Sequence, residues 1–234
     1  MANIVLIHGA FHGGWCWRDV ARRLRGEGHG VFAPTLTGLG ERGHLIGPGV
    51  DLDTHIADIV NVIEAEELRD VVLIGHSYGG MPVTGAADHL ADRLSALVFF
   101  DAVIPEDGQT AIAARSTEPG YTPLPEPTDA SSVPPFDAAS FGLTGDLAAW
   151  ANRRLTPHPL ATMTQPIRLS GAWRGVKRKI YIRMASYPAP HFDRWYEMAD
   201  RDPEWIAIRR DGPHDVMMTE PDWFVGLLTE HALV

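Results

Sequence analysis

Residues 71–80 of the chain read VVLIGHSYGG, an apolar run followed at once by the pattern Gly-x-Ser-x-Gly. The apolar run predicts a buried strand and the spacing after it predicts a helix, so Ser77 would lie on the sharp turn between them. Such a turn strains the serine backbone and projects its hydroxyl outward, and the flanking glycines remove side chains that would collide with neighbouring backbone. We predict that Ser77 is a nucleophile; the alternative is a glycine-rich turn with an idle serine.

Outward from this turn, short apolar runs alternate with longer amphipathic ones. The pattern predicts strands at residues 4–7, 30–33, 71–74, 96–100, 179–184 and 205–208. It predicts helices at residues 15–27, 53–68, 81–90, 191–201 and 221–231. Alternation of strands and helices implies right-handed crossovers. We therefore predict an α/β fold, with a parallel sheet of about six strands flanked by helices on both faces.

The alternation stops near Pro105 and resumes around residue 177. Six prolines lie between Pro119 and Pro135, which is too many for a sheet or a long helix. Short helices are predicted at residues 144–155 and 160–167. We interpret residues 106–176 as an inserted helical cap over the carboxyl ends of the strands, where open α/β sheets bind ligands. Residues 1–105 and 177–234 would then form the core.

Composition excludes several classes of function. The 234 residues carry a formal net charge of -10, which disfavours a nucleic-acid or anionic-membrane partner. Cys16 is the single cysteine, so neither an intramolecular disulfide nor a cysteine-based zinc site can form. No apolar run is long enough to span a bilayer, and no signal-like segment precedes the first predicted strand. We expect a cytoplasmic protein.

A glycine-flanked loop follows the first predicted strand. Residues 8–15 read HGAFHGGW, and such a loop lets backbone amides converge on an anion. We predict that the amides of Ala10 and Tyr78 stabilise an oxyanion, with Phe11 as the second candidate in this loop. A metal site at His8 and His12 is not expected, because they do not lie on a helix and no third ligand is evident.

Among eleven histidines, His214 has the position of a general base. Residues 212–215 read GPHD, and they follow the last predicted strand and precede the last helix. A neutral imidazole there can accept the Ser77 proton and return it to the leaving group. His76 is adjacent to Ser77 in the chain, so its side chain should point away, and we interpret it as packing or pocket wall.

The carboxylate that should orient His214 is harder to assign. The loop at residues 184–190 after the penultimate strand, where this acid usually lies, contains neither Asp nor Glu. Asp101 ends an apolar strand, where a charge is costly unless it is paired, and pairing with His214 would compensate it. We favour Asp101, with Asp193 in the following helix as the alternative; Asp215 is adjacent to the base itself and is disfavoured.

Aromatic and methionine side chains suggest an apolar or aromatic acyl pocket. The candidates that could line it are Phe11, Tyr78, Met81, Trp150, Met163 and Trp173. Each of these could instead belong to the core. Arg42 and Arg183 are the two arginines considered for binding a substrate carboxylate, and neither is placed clearly, so charged substrates are less favoured.

Five stretches of the chain resemble the α/β-hydrolase superfamily, in particular the branch of plant methylesterases and hydroxynitrile lyases with their bacterial esterase relatives. They are residues 8–17, 34–42, 75–80, 101–108 and 212–215. The resemblance implies the α/β-hydrolase fold, a six-stranded parallel sheet with a helical cap, and a serine mechanism that needs no metal or cofactor. It also implies nucleophile and base roles for Ser77 and His214, and oxyanion roles for Ala10 and Tyr78.

Two departures from this branch bear on the function. The plant members carry the acid after the penultimate strand, and the lyases have a threonine and a lysine where this chain has Gly9 and Asp215. An acidic residue would not stabilise a departing cyanide, so the lyase interpretation is weak. We expect a carboxylesterase acting on small esters, methyl esters or carbamate-like bonds. A lyase and a low-turnover ligand receptor are the alternatives. The oligomeric state stays open, with a homodimer among the states considered.

Overall fold

The computed structural model describes residues 1–116, 123–127 and 131–233, and within them six parallel strands form one sheet. Its strands are β1 (Asn3–Ile7), β2 (Gly30–Phe32), β3 (Val71–His76), β4 (Leu94–Phe100), β7 (Arg178–Met184) and β8 (Trp205–Arg210). Their order across the sheet is β2-β1-β3-β4-β7-β8. This arrangement confirms the predicted α/β fold and its six-stranded parallel sheet. Two short strands, β5 (Ser132–Val133) and β6 (His158–Pro159), pair antiparallel outside the sheet.

The helices occupy the connections between the strands. They are α1 (Arg18–Gly26), α2 (Leu52–Ala65), α3 (Gly80–Leu90), α4 (Ala111–Ser116), α5 (Gly145–Asn152), α6 (Leu160–Thr164), α7 (Asp193–Arg201), α8 (Val216–Thr219) and α9 (Pro221–His231). The helix predicted to run to residue 167 ends at Thr164, because Gln165 precedes a proline and adopts an extended conformation. The helix predicted from residue 15 begins at Arg18, after a 3-10 turn over residues 14–17.

Two apolar layers cover the two faces of the sheet. Alternate residues of β1 divide between them, with Ile4 and Leu6 in the layer that contains α1 and α9, and Val5 and Ile7 in the layer that contains α2, α3 and α7. This alternation follows from the two-residue period of a strand. Both layers are fully buried along the central strands, so the sheet is a rigid base for the loops at its carboxyl edge.

The segment between β4 and β7 lies over the loop that follows β1. The Thr156 amide donates to the Phe11 carbonyl at 3.0 Å, and the Phe11 amide donates to His158 Nδ1 at 3.3 Å. Phe11, Val133 and Phe141 share a small apolar cluster at this contact. Part of the proline-rich stretch predicted from the sequence, including Pro119, falls outside the described residues.

Candidate active site

The turn after β3 holds Ser77 in a left-handed backbone conformation. Its φ angle is 55°, which residues with side chains rarely adopt, and its side chain is partly exposed. A Cβ atom at Gly79 would lie 2.7 Å from the His8 carbonyl oxygen, and one at Gly75 would lie 2.8 Å from the Gly79 carbonyl oxygen. Backbone crowding therefore requires both glycines, and the turn presents the Ser77 hydroxyl at the carboxyl edge of the sheet.

The loop between β8 and α8 brings His214 against the end of β4. His214 Nδ1 is 2.8 Å from Asp101 Oδ2, and both side chains are buried. When Nδ1–H donates to this carboxylate, Nε2 keeps the lone pair that a general base needs. The ring of Tyr187 stacks on the imidazole with a centroid distance of 4.1 Å, and Phe192 stacks at 5.7 Å. The carboxylate and the two aromatic rings together orient the imidazole.

His76 connects the Ser77 turn to the His214 loop. Its Nε2 donates to the His214 carbonyl at 3.2 Å, and the two imidazole centroids are 4.3 Å apart. Ser77 Oγ itself makes no hydrogen bond within 3.5 Å to any residue in the described ranges. Hydrogen bonds between a nucleophile and its base are often long until substrate binds. The Ser77 hydroxyl and the His214 imidazole lie at the same edge of the sheet, and no hydrogen bond joins them.

Of the two carboxylates weighed from the sequence, Asp101 is the one that contacts His214. Its φ angle is 43°, and its Oδ1 accepts from Arg183 Nη1 at 3.1 Å and from the Met184 amide at 3.2 Å. Asp193 lies at the start of α7 and binds Nε of the same Arg183 at 3.0 Å. The two candidates therefore contact different nitrogens of one buried guanidinium.

The two candidate amides of the first loop are used differently. The Phe11 amide donates to His158, and the Phe11 backbone has a φ angle of 68°. The Ala10 amide has no acceptor in the parts of the chain that the structure describes, whereas its carbonyl accepts from His12 Nδ1 at 2.7 Å. An unpaired amide beside a strained serine is the kind of donor that an oxyanion requires. This difference favours Ala10 over Phe11.

The side chain of Tyr78 belongs to a buried network beside the serine turn. Its hydroxyl is 2.9 Å from His55 Nδ1, and His55 Nε2 donates to the Thr37 carbonyl at 2.8 Å. Burial raises the pKa of the Tyr78 phenol, so the phenol stays neutral and can donate to His55. The network fixes the ring of Tyr78 and thereby the residue whose amide was predicted to face the oxyanion.

The histidines around the first loop serve its conformation. His8 donates from Nδ1 to the Gly9 carbonyl and accepts from the Leu36 amide at Nε2, with both distances near 3 Å (2.9 and 3.0 Å). His12 donates to the Ala10 carbonyl and also binds Asp215 at 3.0 Å. Among the described residues, no group of three or more His, Cys, Asp or Glu could hold a metal ion.

Asp215 pairs with His12 and not with His214. Burial by itself would lower the pKa of His12, but the Asp215 carboxylate and the hydrogen bond to the Ala10 carbonyl raise it overall. The result is a buried ion pair that joins the loop after β1 to the residue that follows His214. Asp215, which occupies the position where the hydroxynitrile lyases carry a lysine, is therefore paired with His12.

Two of the predicted pocket residues, Trp173 and Trp150, pack against other protein side chains. Trp173 donates its amide to Asp88 near the end of α3 and packs on Phe99 and Trp205. Because α3 starts at Gly80, this contact is about 12 Å along the helix from the serine turn. Trp150 packs on Trp15, and the guanidiniums of Arg18 and Arg154 cover its ring. Trp173 is buried and Trp150 is half-buried, and a role for either in a substrate pocket stays a prediction.

The other predicted pocket residues are buried. Phe11 packs edge-to-face on Phe136 at 5.7 Å, while Met81 and Met163 are buried in the apolar layer that also contains Tyr78. Sequence reasoning missed Tyr187, whose ring covers the His214 imidazole. The only signal for it was its position in the loop where an acid was expected.

The two arginines considered for a substrate carboxylate both bind protein groups. Arg42 donates to the Thr35 carbonyl at 2.8 Å and contacts Asp58 at 3.1 Å. Arg183 is buried between Asp101 and Asp193. The buried Arg183 guanidinium is therefore not free to bind a charged substrate, whereas the Arg42 side chain is 37% exposed. None of the described helices has the length and apolar character needed to cross a membrane.

The fold and the site geometry at the carboxyl edge of the sheet indicate a class of protein, and comparison with known proteins indicates the same class. The sequence profile of the Alpha/beta hydrolase family matches residues 4–227. A carbendazim hydrolyzing esterase from Nocardioides sp. (strain SG-4G) is 41% identical over 232 residues, which cover 95% of this chain and 96% of that protein. The chain belongs to the α/β-hydrolase family. It is an enzyme, a hydrolase that acts on ester bonds.

More distant relatives share the fold or part of the sequence. Methylesterase 3 from Arabidopsis thaliana is 35% identical over 115 residues, which cover 44% of this chain and 40% of that protein. A solved structure of an extracellular α/β-hydrolase from a Paenibacillus species superimposes with a TM-score of 0.77 at 20% identity, covering 99% of both chains. These matches agree with the resemblance that the five sequence stretches indicate.

Proposed function

We propose that the chain is a serine esterase in which Ser77, His214 and Asp101 act as nucleophile, base and orienting acid. The observation that carries the proposal is the 2.8 Å contact between His214 Nδ1 and Asp101, at the sheet edge where Ser77 adopts a left-handed conformation. A base whose Nδ1–H is held by a carboxylate keeps Nε2 available for the serine proton. The wider family supports the same assignment of residue types.

The proposed reaction runs through an acyl-enzyme. Ser77 Oγ bonds to the ester carbonyl carbon as its proton passes to His214 Nε2, and the carbonyl oxygen becomes an oxyanion between the Ala10 and Tyr78 amides. The intermediate collapses, the bond to the leaving oxygen breaks, and His214 gives that oxygen its proton. Water then attacks the acyl group by the same route and releases the acid, while the proton returns to Ser77 Oγ.

We propose small esters with an apolar or aromatic acyl group as substrates. Aromatic side chains near the candidate nucleophile favour such a group, with Phe11 and Phe136 on one side and Tyr187 over the imidazole. The name of the carbendazim hydrolyzing esterase extends the proposal to carbamate-like bonds. We also propose residues 106–176 as a cap over this pocket, since their strand β6 contacts the loop after β1.

Hydrolysis of p-nitrophenyl acetate and butyrate tests the proposal. We expect steady turnover by the wild-type enzyme and a fall to below about one thousandth in Ser77→Ala. Ser95→Ala is the matched control, because Ser95 is exposed and lies near the amino end of β4, at the opposite edge of the sheet from Ser77. A serine-trapping phosphonate should add to the wild-type protein and not to Ser77→Ala. Turnover that Ser77→Ala leaves unchanged would place the chemistry elsewhere.

The same assay with a methyl carbamate of an aromatic amine tests the wider substrate range. If the pocket accepts carbamate-like bonds, amine release should depend on Ser77 as ester cleavage does. Rapid cleavage of the butyrate ester with no release from the carbamate would restrict the proposal to carboxylesters.

A further inference from the structure

Arg183 lies at the end of β7 beside the candidate acid, and its guanidinium is almost wholly buried. It is 2% exposed, so its charge needs compensation by neighbouring groups. Nη1 donates to Asp101 Oδ1 at 3.1 Å, and Nε donates to Asp193 Oδ1 at 3.0 Å. The fork of the guanidinium therefore joins one carboxylate that touches His214 to one that does not.

The same side chain holds the loop that follows β7. Nη1 donates to the Met184 carbonyl at 2.6 Å, and Nη2 donates to the carbonyls of Tyr187 at 3.1 Å and Ala189 at 3.2 Å. This loop carries the Tyr187 ring that stacks on His214 with an interplanar angle of 18°. Arg183 thus contacts the elements that fix both the Nδ1 partner and one ring face of the imidazole.

The charges around Arg183 explain why two carboxylates are present. If Arg183 were paired with Asp101 alone, its positive charge would cancel much of the field that Asp101 exerts on His214. Asp193 supplies a second negative charge to the guanidinium, so the cluster of the three groups keeps a net negative charge. Arg209 approaches Asp193 at 3.5 Å, but its side chain is 45% exposed and its charge is screened by solvent.

We propose that Arg183 and Asp193 are positioning residues for the hydrolysis proposed above. Arg183 holds the Asp101 carboxylate and the Tyr187 loop against His214. Asp193 offsets the positive charge of the Arg183 guanidinium. The negative charge of Asp101 can then stabilise the imidazolium that forms on His214 during the reaction. The inference rests on the proposed function, because it takes His214 as the base.

Other ionisable groups also face His214, and the test must leave them unchanged. Burial lowers the pKa of His76 on β3 well below its usual value and that of His191, before α7, to about 3, so both are neutral. His12, from the loop after β1, is paired with Asp215. Burial raises the pKa of Tyr187 to about 12, so it too is neutral. Arg115 of α4 and Arg194 of α7 add positive charge near His191.

The variant Asp193→Asn tests the charge. Removing this negative charge leaves Arg183 undercompensated and disfavours protonated His214, so the acidic limb of kcat/KM should move to lower pH by about one unit. NMR titration of the His214 ring should show the same shift without any turnover. Asp53→Asn is the control, because Asp53 forms an exposed pair with Arg168 at 3.0 Å. An Asp193→Asn profile that coincides with the wild type would overturn the proposal.

The variant Arg183→Lys tests the positioning. Lysine keeps the positive charge but lacks the planar fork, so kcat should fall by about 10- to 100-fold while the acidic limb stays at its wild-type pH. Unchanged kcat in a folded Arg183→Lys protein would contradict the role of Arg183. Loss of ester turnover in Ser77→Ala, which tests the proposed function, is measured separately, so failure of the one is distinguishable from failure of the other.

Discussion

At the scale of single residues, three of the five non-glycine residues with a positive φ angle in the described ranges lie near the candidate chemistry, and the other two are Glu67 and Asp70. Phe11, Ser77 and Asp101 have φ angles of 68°, 55° and 43°, and they follow β1, β3 and β4 at the same edge of the sheet. Left-handed conformations cost free energy for residues with side chains, so the surrounding structure must hold them. The Asp101 conformation directs one carboxylate oxygen to Arg183 and the other to His214.

The variant Asp101→Asn should lower kcat by about 10⁴-fold. Arg183 and the Met184 amide donate to one side of this group, so the asparagine oxygen would turn toward them and its NH₂ toward His214. His214 would then carry its proton on Nε2 and could not accept one from Ser77. Steady-state kinetics on p-nitrophenyl butyrate measure the loss. A larger loss in Asp193→Asn than in Asp101→Asn would show that the acid is assigned to the wrong residue.

At the scale of elements, the adjacency of β1 and β3 brings two loops into contact. Ile7 is in register with Gly75, so the chain after β1 meets the turn after β3. A Cβ atom at Gly9 would lie 2.9 Å from Ser77 Cβ and 3.2 Å from His76 Nδ1. The absence of a side chain at Gly9 therefore allows the candidate oxyanion loop to approach the serine this closely.

The variant Gly9→Ala should lower kcat/KM by about 10- to 100-fold, because either the Ala10 amide or Ser77 must move to relieve the contact. Kinetics with the acetate ester measure the loss. Gly26→Ala is the matched control, since no atom lies within 4 Å of the added Cβ at the end of α1. The control should keep full activity and gain up to about 1 kcal/mol of stability. Full activity in a folded Gly9→Ala protein would show that the loops are not tightly coupled.

At the scale of the whole molecule, buried histidines make the fold sensitive to acid. Burial lowers the pKa of His8 to about 3 and that of His55 to about 4, and it lowers the pKa values of His76 and His158 well below the usual value. Below pH 6.5 the unfolded chain binds protons that the native state excludes, so the free energy of unfolding decreases as the pH is lowered. His12 acts in the opposite sense, because its pKa is raised and its contribution is lost as pH rises.

The free energy of unfolding, measured by urea titration, should therefore fall steeply as the pH is lowered from 6.5 to 4, by about 1.4 kcal/mol per pH unit for each histidine that stays neutral. In His55→Gln this pH dependence should weaken by the equivalent of one proton, because glutamine does not titrate. Glutamine can still donate to the Thr37 carbonyl, so the fold should be kept. His44→Gln is the control, since His44 is exposed. Identical pH dependence in His55→Gln and the wild type would contradict the assignment of His55 as a buried neutral base.

Local patterns in the sequence determined the α/β fold, the six-stranded parallel sheet and the turn that carries Ser77. These follow from hydrophobic periodicity and from the Gly-x-Ser-x-Gly spacing, which are visible over a few neighbouring residues. Chain order alone was enough to choose His214 among eleven histidines as the candidate base. Such features can be predicted because each leaves a pattern in the order of the residues along the chain.

Only the tertiary structure decided which carboxylate touches His214 and which aromatic rings surround it. Asp101, Arg183 and His214 come from the ends of three strands, and the sheet order β4-β7-β8 brings them together. The burial of Trp173 in the core and the stacking of Tyr187 on the imidazole have the same origin. Apolar burial has no preferred direction, so the periodicity of a segment cannot show which neighbour its side chains will contact.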